Sequence, residues 1–244
     1  MTTLALRGRA RGWERLGRPD RRPALWLTTA AVVAALAWVA LSRTGSHHAG
    51  HHVEPSLARA WSGWALMVVA MMLPTVNPVV CRVAAAGLWA RRRWTVAEFV
   101  GGFLAPWLGL GLVAAVLARA VVPGVASPRL LVAWVLVVAA LWHVAPPRRA
   151  LMRRCGVVRP GALTGRRATV DAARNGWRTG IRCVATCGPA MSVMALSHSV
   201  VLMAGVTAVL WSERLRGPNP GERAAHPAQA AALFAMAAGV VALG

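Results

Sequence analysis

Acidic residues are scarce in this chain. Only seven Asp and Glu stand among 244 residues, and they supply no pair of carboxylates of the kind that general acid–base catalysis uses. The sequence also holds no nucleophile with a neighbouring base, so we expect no enzyme. Lys and Tyr are absent, and all 28 basic residues are Arg. Because this bias is typical of genome composition, we draw no function from it.

Apolar residues dominate what is present. They make up 57% of the chain, and their runs approach the roughly 20 residues that a helix needs to cross a bilayer. A net charge of +21 would also suit a nucleic-acid binder. The arginines, however, cluster in short segments between apolar runs, as membrane topology requires. We therefore expect a lipid bilayer as partner and no nucleic acid.

The apolar runs predict an all-α fold, a polytopic transmembrane helical bundle of about seven spans, with six as the alternative. A basic cytoplasmic arm at 1–22 would precede a single transmembrane helical domain at 23–244. A long basic loop at 145–178 would separate the fourth and fifth spans. No small-residue cleavage site follows the first run, so we interpret it as an uncleaved helix. The spans lie at about 23–41, 61–80, 99–122, 130–144, 177–195, 200–213 and 228–244.

The arginines also predict an orientation. With a cytoplasmic N-terminus, 24 arginines would lie on the inner side of the membrane and four on the outer side. Short inner loops of membrane proteins carry such an excess of positive charge. The sequence therefore predicts a multi-pass protein of the bacterial inner membrane with its N-terminus in the cytoplasm.

One stretch of the predicted fifth span carries sulfur at helical spacing. Cys183, Cys187 and Met191 stand at positions i, i+4 and i+8, which share one face of a helix. Thiolate and thioether ligands favour soft ions such as Cu(I), and thiolates also suit zinc. Cys and Met are equally common as apolar packing residues. A metal site and an ordinary core both remain open on these three residues.

Other metal-binding side chains are predicted to lie near this stripe. At about 1.5 Å per residue, the second span places Met71 and Met72 at the depth of Cys187. His143 closes the fourth span on the cytoplasmic side. We predict Cys183 and Cys187 as primary ligands and one of the two methionines as a thioether ligand. His143 and Cys155 are the predicted acceptors on the inner side. The candidate metal ligands are Cys183, Cys187, Met71, Met72, His143, Cys155 and Met191.

A separate histidine tract occupies the predicted first external loop. His47, His48, His51 and His52 stand within six residues, and tracts of this kind are a compositional sign of metal binding. A short flexible tract binds weakly, and it is as well explained as an incidental sequence. We keep it as a candidate external capture site for the same metal.

Four motifs resemble a known pattern. The run from Ala70 to Pro74, the segment from Pro146 to Cys155, the two cysteines after Gly180 and the pair Glu213-Arg214 stand in this order. Together they resemble the bacterial family of predicted metal-binding integral membrane proteins, a domain of unknown function that is sometimes linked to copper handling. The resemblance covers about residues 57–215 and implies a copper-binding membrane protein.

The chain departs from the family pattern at a few positions. The family typically has a second cysteine where Leu151 stands and adjacent cysteines where Thr186 and Cys187 stand. It usually has a glutamine or a similar residue where this chain has His143. From its position alone, we hypothesise that His143 replaces one of the missing thiol ligands.

We therefore predict a membrane metal chaperone or transfer protein that binds copper first and zinc second, with a metal-receiving protein as partner. One alternative is a non-catalytic membrane scaffold or assembly factor for a partner enzyme, in which the sulfurs serve as packing. Another is a small-molecule permease, in which Pro74, Asn77 and Pro78 would mark a broken helix that binds substrate.

Overall fold

The protein is built from helices. The computed structural model describes residues 32–40, 56–86, 88–121, 127–155, 157–159, 161–197, 199–215 and 225–242, and these ranges contain no strand. The predicted all-α class is confirmed for this part of the chain. The helices are α1 (32–40), α2 (Leu57–Ala86), α3 (Arg92–Val121), α4 (Pro128–Val144), α5 (Pro146–Arg154), α6 (Gly165–Leu196), α7 (Val200–Leu215) and α8 (Ala225–Ala242).

Three of these helices are long and apolar enough to cross a membrane, namely α2, α3 and α6. A fourth candidate is the pair α4 and α5, which is bent by 69° at a short break. Helices α7 and α8 are apolar but shorter. The 17 residues of α4 rise about 26 Å at 1.5 Å per residue, less than a hydrocarbon core of about 30 Å. The described residues thus give three to four candidate spans rather than clearly seven.

The predicted loop at 145–178 is largely helical. It contains α5 and the first part of α6, which begins at Gly165 rather than near Trp177. The density of arginine in this segment suggested a loop, yet arginine is a good helix former. Small residues recur at every fourth position of this helix, and Ala168, Ala172 and Gly176 are buried there. That stripe gives the arginine-rich segment a face that packs, and the other faces carry the charge.

Helix α6 packs most extensively along α3, and glycine lets their backbones touch. A Cβ atom built at Gly176 would overlap the carbonyl oxygen of Phe99, and one at Gly180 would lie 2.5 Å from the carbonyl oxygen of Phe103. The two glycines are four residues apart, so they lie on the same face of α6. Small residues at this spacing bring membrane helices into close contact.

The remaining helices surround this pair. Helix α4 packs against α6 and is covered by α8, while α2 packs against α3. Helix α2 is not among the helices that pack extensively against α6, but side chains of both belong to one buried apolar cluster. The predicted placement of Met71 and Met72 at the depth of Cys187 would suit direct packing of α2 on α6. The two helices share a core instead, while α3 packs along both of them.

Two prolines lie inside α2 without dividing it. Pro74 and Pro78 stand within one continuous helix of 30 residues. Proline has no backbone N–H, so the carbonyl group four residues earlier has no helical donor. These carbonyl groups are those of Ala70 and Pro74, and the chain stays helical across both positions. The broken helix that a permease would use is therefore not formed in α2.

Candidate metal centre

The core of the bundle is rich in sulfur. Six methionines and two cysteines belong to one cluster of buried residues, and we call this set the sulfur core. Both predicted primary ligands, both predicted methionines of α2 and the last residue of the α6 stripe are among them. The sulfur core consists of Met67, Met71, Met72, Cys183, Cys187, Met191, Met194 and Met203.

The sulfur stripe of α6 lies on the buried side of an unbroken helix. Cys183, Cys187 and Met191 are 3%, 4% and 0% exposed. Thr186 is also buried; its hydroxyl group donates to the carbonyl oxygen of Cys183 at 3.1 Å and lies 3.6 Å from the sulfur of Cys187. The spacing that predicted one face of a helix is thus matched by three side chains directed into the same core.

A hydrogen bond sets the level of the α2 methionines. The indole N–H of Trp211 in α7 donates to the carbonyl oxygen of Met71 at 3.1 Å. Trp211 stands two residues before Glu213, so Met71 lies at about the level at which α7 presents that carboxylate. This contact ties α2 to α7, the helix that also carries Glu213.

A buried arginine binds the backbone of α6 next to Cys187. Arg148, in the first turn of α5, is 0% exposed. Its two terminal nitrogens donate to both carboxylate oxygens of Glu213 in α7, at 2.6 and 2.5 Å. Its Nε donates to the carbonyl oxygen of Thr186 in α6 at 2.9 Å. We call His143, Arg148, Thr186 and Glu213 the Arg148 cluster; it joins α4, α5, α6 and α7.

The fourth member of the cluster is His143, which is 1% exposed. Its Nδ1 lies 2.9 Å from the carbonyl oxygen of Ala139. A carbonyl oxygen only accepts, so this contact assigns the ring hydrogen to Nδ1. The Nε2 atom then offers its lone pair to Arg148, at 3.2 Å. It also lies 4.0 Å from Oε2 of Glu213.

The Arg148 cluster adjoins the thiols. Arg148 donates to the carbonyl oxygen of Thr186, the residue directly before Cys187, and lies 3.2 Å from Nε2 of His143. The structure thus brings His143 and Cys187, two predicted ligands, into one neighbourhood. It does not bring Cys155 there, because that half-buried residue at the end of α5 stands outside the sulfur core.

A proline in α6 leaves one backbone carbonyl group near the thiols without a helical donor. Pro189 has no N–H, so the carbonyl oxygen of Ala185 has no helical donor. The indole N–H of Trp142 in α4 donates to that oxygen at 2.9 Å. Arg148 donates to the next carbonyl oxygen, at Thr186. Side chains of α4 and α5 therefore satisfy two successive carbonyl groups of α6 just before its proline.

This arrangement predicts a non-additive pair of substitutions. Replacing Trp142 with Phe removes the donor to the Ala185 carbonyl and is expected to cost about 1 kcal/mol of stability. In a Pro189→Ala background, the restored amide of residue 189 donates to that carbonyl, so W142F should cost less than half as much. Unfolding of the four proteins of this double-mutant cycle measures the difference. Equal costs in both backgrounds would contradict the pairing.

The role of Arg148 was not predicted from the sequence, in which it is one of the 24 arginines assigned to the inner side of the membrane. A usable signal was Glu213, one of only seven acidic residues, standing at the end of an apolar helix. A carboxylate in such a place needs a cationic partner, and α7 supplies none inside its own apolar stretch.

Sulfur is the donor type that the core offers to a metal. Within the described ranges, no three His, Cys, Asp or Glu side chains are grouped so that they could hold one ion. What the core supplies is thiol and thioether sulfur, the donor set that suits Cu(I). The predicted capture residues His47, His48, His51 and His52 lie outside the described residues.

Comparison with known proteins identifies the family to which the chain belongs. No curated protein and no solved structure matches the chain. A family model, PpoB2, described as copper chaperone, matches residues 61–241, a range that runs from the second turn of α2 almost to the end of α8 and covers well over half of the sequence. The expected link to a copper-handling family is confirmed: this chain belongs to the PpoB2 copper chaperone family.

Proposed function

We propose that this protein is a polytopic membrane protein that binds Cu(I) in its sulfur core as cargo and passes the ion to a metal-receiving protein. The observation that carries the proposal is the burial of eight sulfur side chains in one cluster of a chain from a copper chaperone family. Copper is the first metal of the proposal and zinc the second, because the core offers soft donors.

The outer surface of the bundle supports a membrane location. Four large apolar residues of α4 recur along one exposed face, namely Leu130, Trp134, Val138 and Leu141, each more than half exposed. A continuous apolar stripe of this kind is unfavourable in water and is suited to lipid. We propose the bacterial inner membrane, seven spans and a cytoplasmic N-terminus, on the positive-inside distribution of the arginines.

The division of roles follows the donor chemistry. Cys183 and Cys187 are the primary ligands in this proposal, because thiolates bind Cu(I) more strongly than thioethers do. Met71, Met72 and Met191 supply thioether sulfur in the same cluster. These groups hold and exchange an ion and perform no reaction on it, so the proposal is for a carrier and not an enzyme.

Transfer needs groups beyond the buried core. Cys155, half-buried at the end of α5, is the thiol that we propose as an acceptor on the inner side, with His143 between it and the cysteines of α6. The histidines at 47–52 are proposed to capture the ion on the outer side. The receiving protein would take copper from the half-buried thiol.

Removal of both thiols tests the site. The Cys183→Ser, Cys187→Ser double variant is expected to bind Cu(I) at least tenfold more weakly than the unchanged protein, since hydroxyl oxygen is a poor ligand for a soft ion. Purified protein in lipid nanodiscs would be titrated with Cu(I) against a competing chelator. Cys81→Ser is the matched control, because Cys81 is half-buried on α2, 3.8 Å from the amide oxygen of Asn77, and is not part of the sulfur core.

Two outcomes would reject the proposal. One is equal copper affinity in the double variant and the Cys81 control. The other is an unchanged protein that binds no copper at all. A co-purifying partner whose activity survives removal of both cysteines would favour the scaffold alternative instead.

A further inference from the structure

One terminal nitrogen of Arg148 lies between two side chains that would otherwise suit a metal. This nitrogen is 3.2 Å from Nε2 of His143 and 2.5 Å from Oε2 of Glu213. The two acceptor atoms are 4.0 Å apart. Imidazole nitrogen and carboxylate oxygen are ligands of borderline ions such as Zn(II) and Cu(II). A positive group therefore already stands where such an ion would bind.

The spacing is close to that of a ligand pair. Zinc binds imidazole nitrogen and carboxylate oxygen at about 2.0–2.2 Å, so two ligands of a tetrahedral ion lie about 3.4 Å apart. A small rotation of the Glu213 carboxylate would reduce 4.0 Å to that distance. The assigned tautomer also leaves the lone pair of His143 Nε2 directed at the site, as a metal ligand requires.

Arginine is well suited to keep other cations out. Its guanidinium group stays charged even when buried and binds a carboxylate with two parallel hydrogen bonds. Arg148 uses both bonds on Glu213 and a third on the carbonyl oxygen of Thr186. Groups of two other helices, α6 and α7, thus hold the guanidinium group in place, and a metal would have to displace all of these bonds together.

The fold brings this arginine to the site by a sharp bend. Helix α4 ends at Val144, Pro146 and Pro147 begin α5, and the two helices are bent by 69°. Arg148 therefore returns to His143, only five residues earlier, with the backbone oxygen of His143 at 3.5 Å. The next residue, Arg149, is exposed and donates to the carbonyl oxygen of Val144 at 2.9 Å.

We infer that Arg148 is a specificity-determining residue that fills a divalent-cation position between His143 and Glu213. While the guanidinium group engages the nitrogen and oxygen donors, the neighbouring sulfurs hold the ion, and a soft monovalent ion is selected; His143 accepts the ion during transfer only after Arg148 releases it. The second part of this inference rests on the proposed function. The first part, that a divalent ion can replace the guanidinium group, stands on the geometry of the Arg148 cluster alone.

The test is a gain of zinc binding on loss of the arginine. Arg148→Ala in nanodiscs is expected to bind Zn(II) at least tenfold more tightly than the unchanged protein, measured by competition with a zinc indicator. Arg149→Ala is the matched control and should show no gain. Adding His143→Ala to R148A should remove the gain. The Co(II) bound by R148A in excess of that bound by the unchanged protein should add d–d absorption bands to the spectrum without adding to the thiolate charge-transfer band that sulfur ligands produce.

Loss of Arg148 removes the buried cation that binds both carboxylate oxygens of Glu213, so R148A is also expected to have a lower melting temperature. In that case, added Zn(II) should raise the melting temperature of R148A and not that of R149A, because a ligand stabilises the folded state that binds it. A gain in affinity or in melting temperature supports the inference. No gain in either, or a gain that survives His143→Ala, overturns it.

The two proposals fail separately. Copper affinity of the unchanged protein and of the double cysteine variant decides the carrier function. Zinc binding by R148A decides the role of Arg148, and it is measured without copper.

Discussion

Replacing Glu213 with alanine is expected to lower the free energy of unfolding by about 3–5 kcal/mol, the usual cost of breaking a buried ion pair from one side. The reason is Arg148, which is fully buried and would keep its charge with no carboxylate to balance it. The N–H groups that now bind both oxygens of Glu213 at 2.6 and 2.5 Å would also lose their acceptors. Reversible unfolding in mixed micelles measures the loss.

Two matched proteins separate the charge effect from ordinary loss of packing. Removing both charges together, as Arg148→Met with Glu213→Leu, should restore most of the stability, because well-packed apolar residues replace buried ion pairs at little cost. Glu98→Ala breaks a second Arg–Glu pair, with Arg91 at 3.0 Å, that is partly exposed. That change should cost less than about 1 kcal/mol. Similar losses for E213A and E98A would contradict a buried, energetically coupled cluster.

Replacing Gly176 with valine is expected to cost about 3 kcal/mol, at the upper end of what overpacking costs. Even the first added carbon would overlap the carbonyl oxygen of Phe99, and a backbone oxygen within a helix cannot turn away. Relief therefore requires α3 and α6 to separate along their whole contact. The measurement is again unfolding in mixed micelles, together with the yield of monodisperse protein.

The control for this change lies on the other face of α3. A Cβ at Gly109 would meet nothing within 4 Å, and Gly109 is exposed. Gly109→Val should change stability by no more than about 0.5 kcal/mol, since valine is at least as good a helix former as glycine. If both valine variants were equally stable, the backbones of α3 and α6 could not be in direct contact.

The sequence predicts most helices because their signals are local. The apolar runs of α2, α3 and α4 end at charges, glycine or proline, and the observed bounds of α4 (Pro128–Val144) differ from the predicted 130–144 by two residues. The sulfur stripe of α6 was also predictable, because the spacing of Cys183, Cys187 and Met191 depends only on the helical repeat. The seven spans and the metal roles of these residues remain predictions.

The start of α6 and the burial of Arg148 depend on tertiary structure. Ten arginines stand between residues 145 and 182, and no local feature shows that one of them turns into the core. That outcome requires the bend before Pro146, the carboxylate of Glu213 from a helix 65 residues away and the carbonyl group of Thr186. For α6, the small residues that pack on α3 outweigh the high charge of the segment.

Helix α5 is attached to α6 near both of its ends. Its first turn is bound through Arg148 to the carbonyl oxygen of Thr186, and its last turn through the carbonyl oxygen of Arg154, which accepts from Arg182 at 2.9 Å. Because this nine-residue helix is bound to α6 near both ends, we expect it to move as one rigid unit. Any motion that withdraws the guanidinium group of Arg148 would then shift the whole helix, and Cys155 at its other end would move with it.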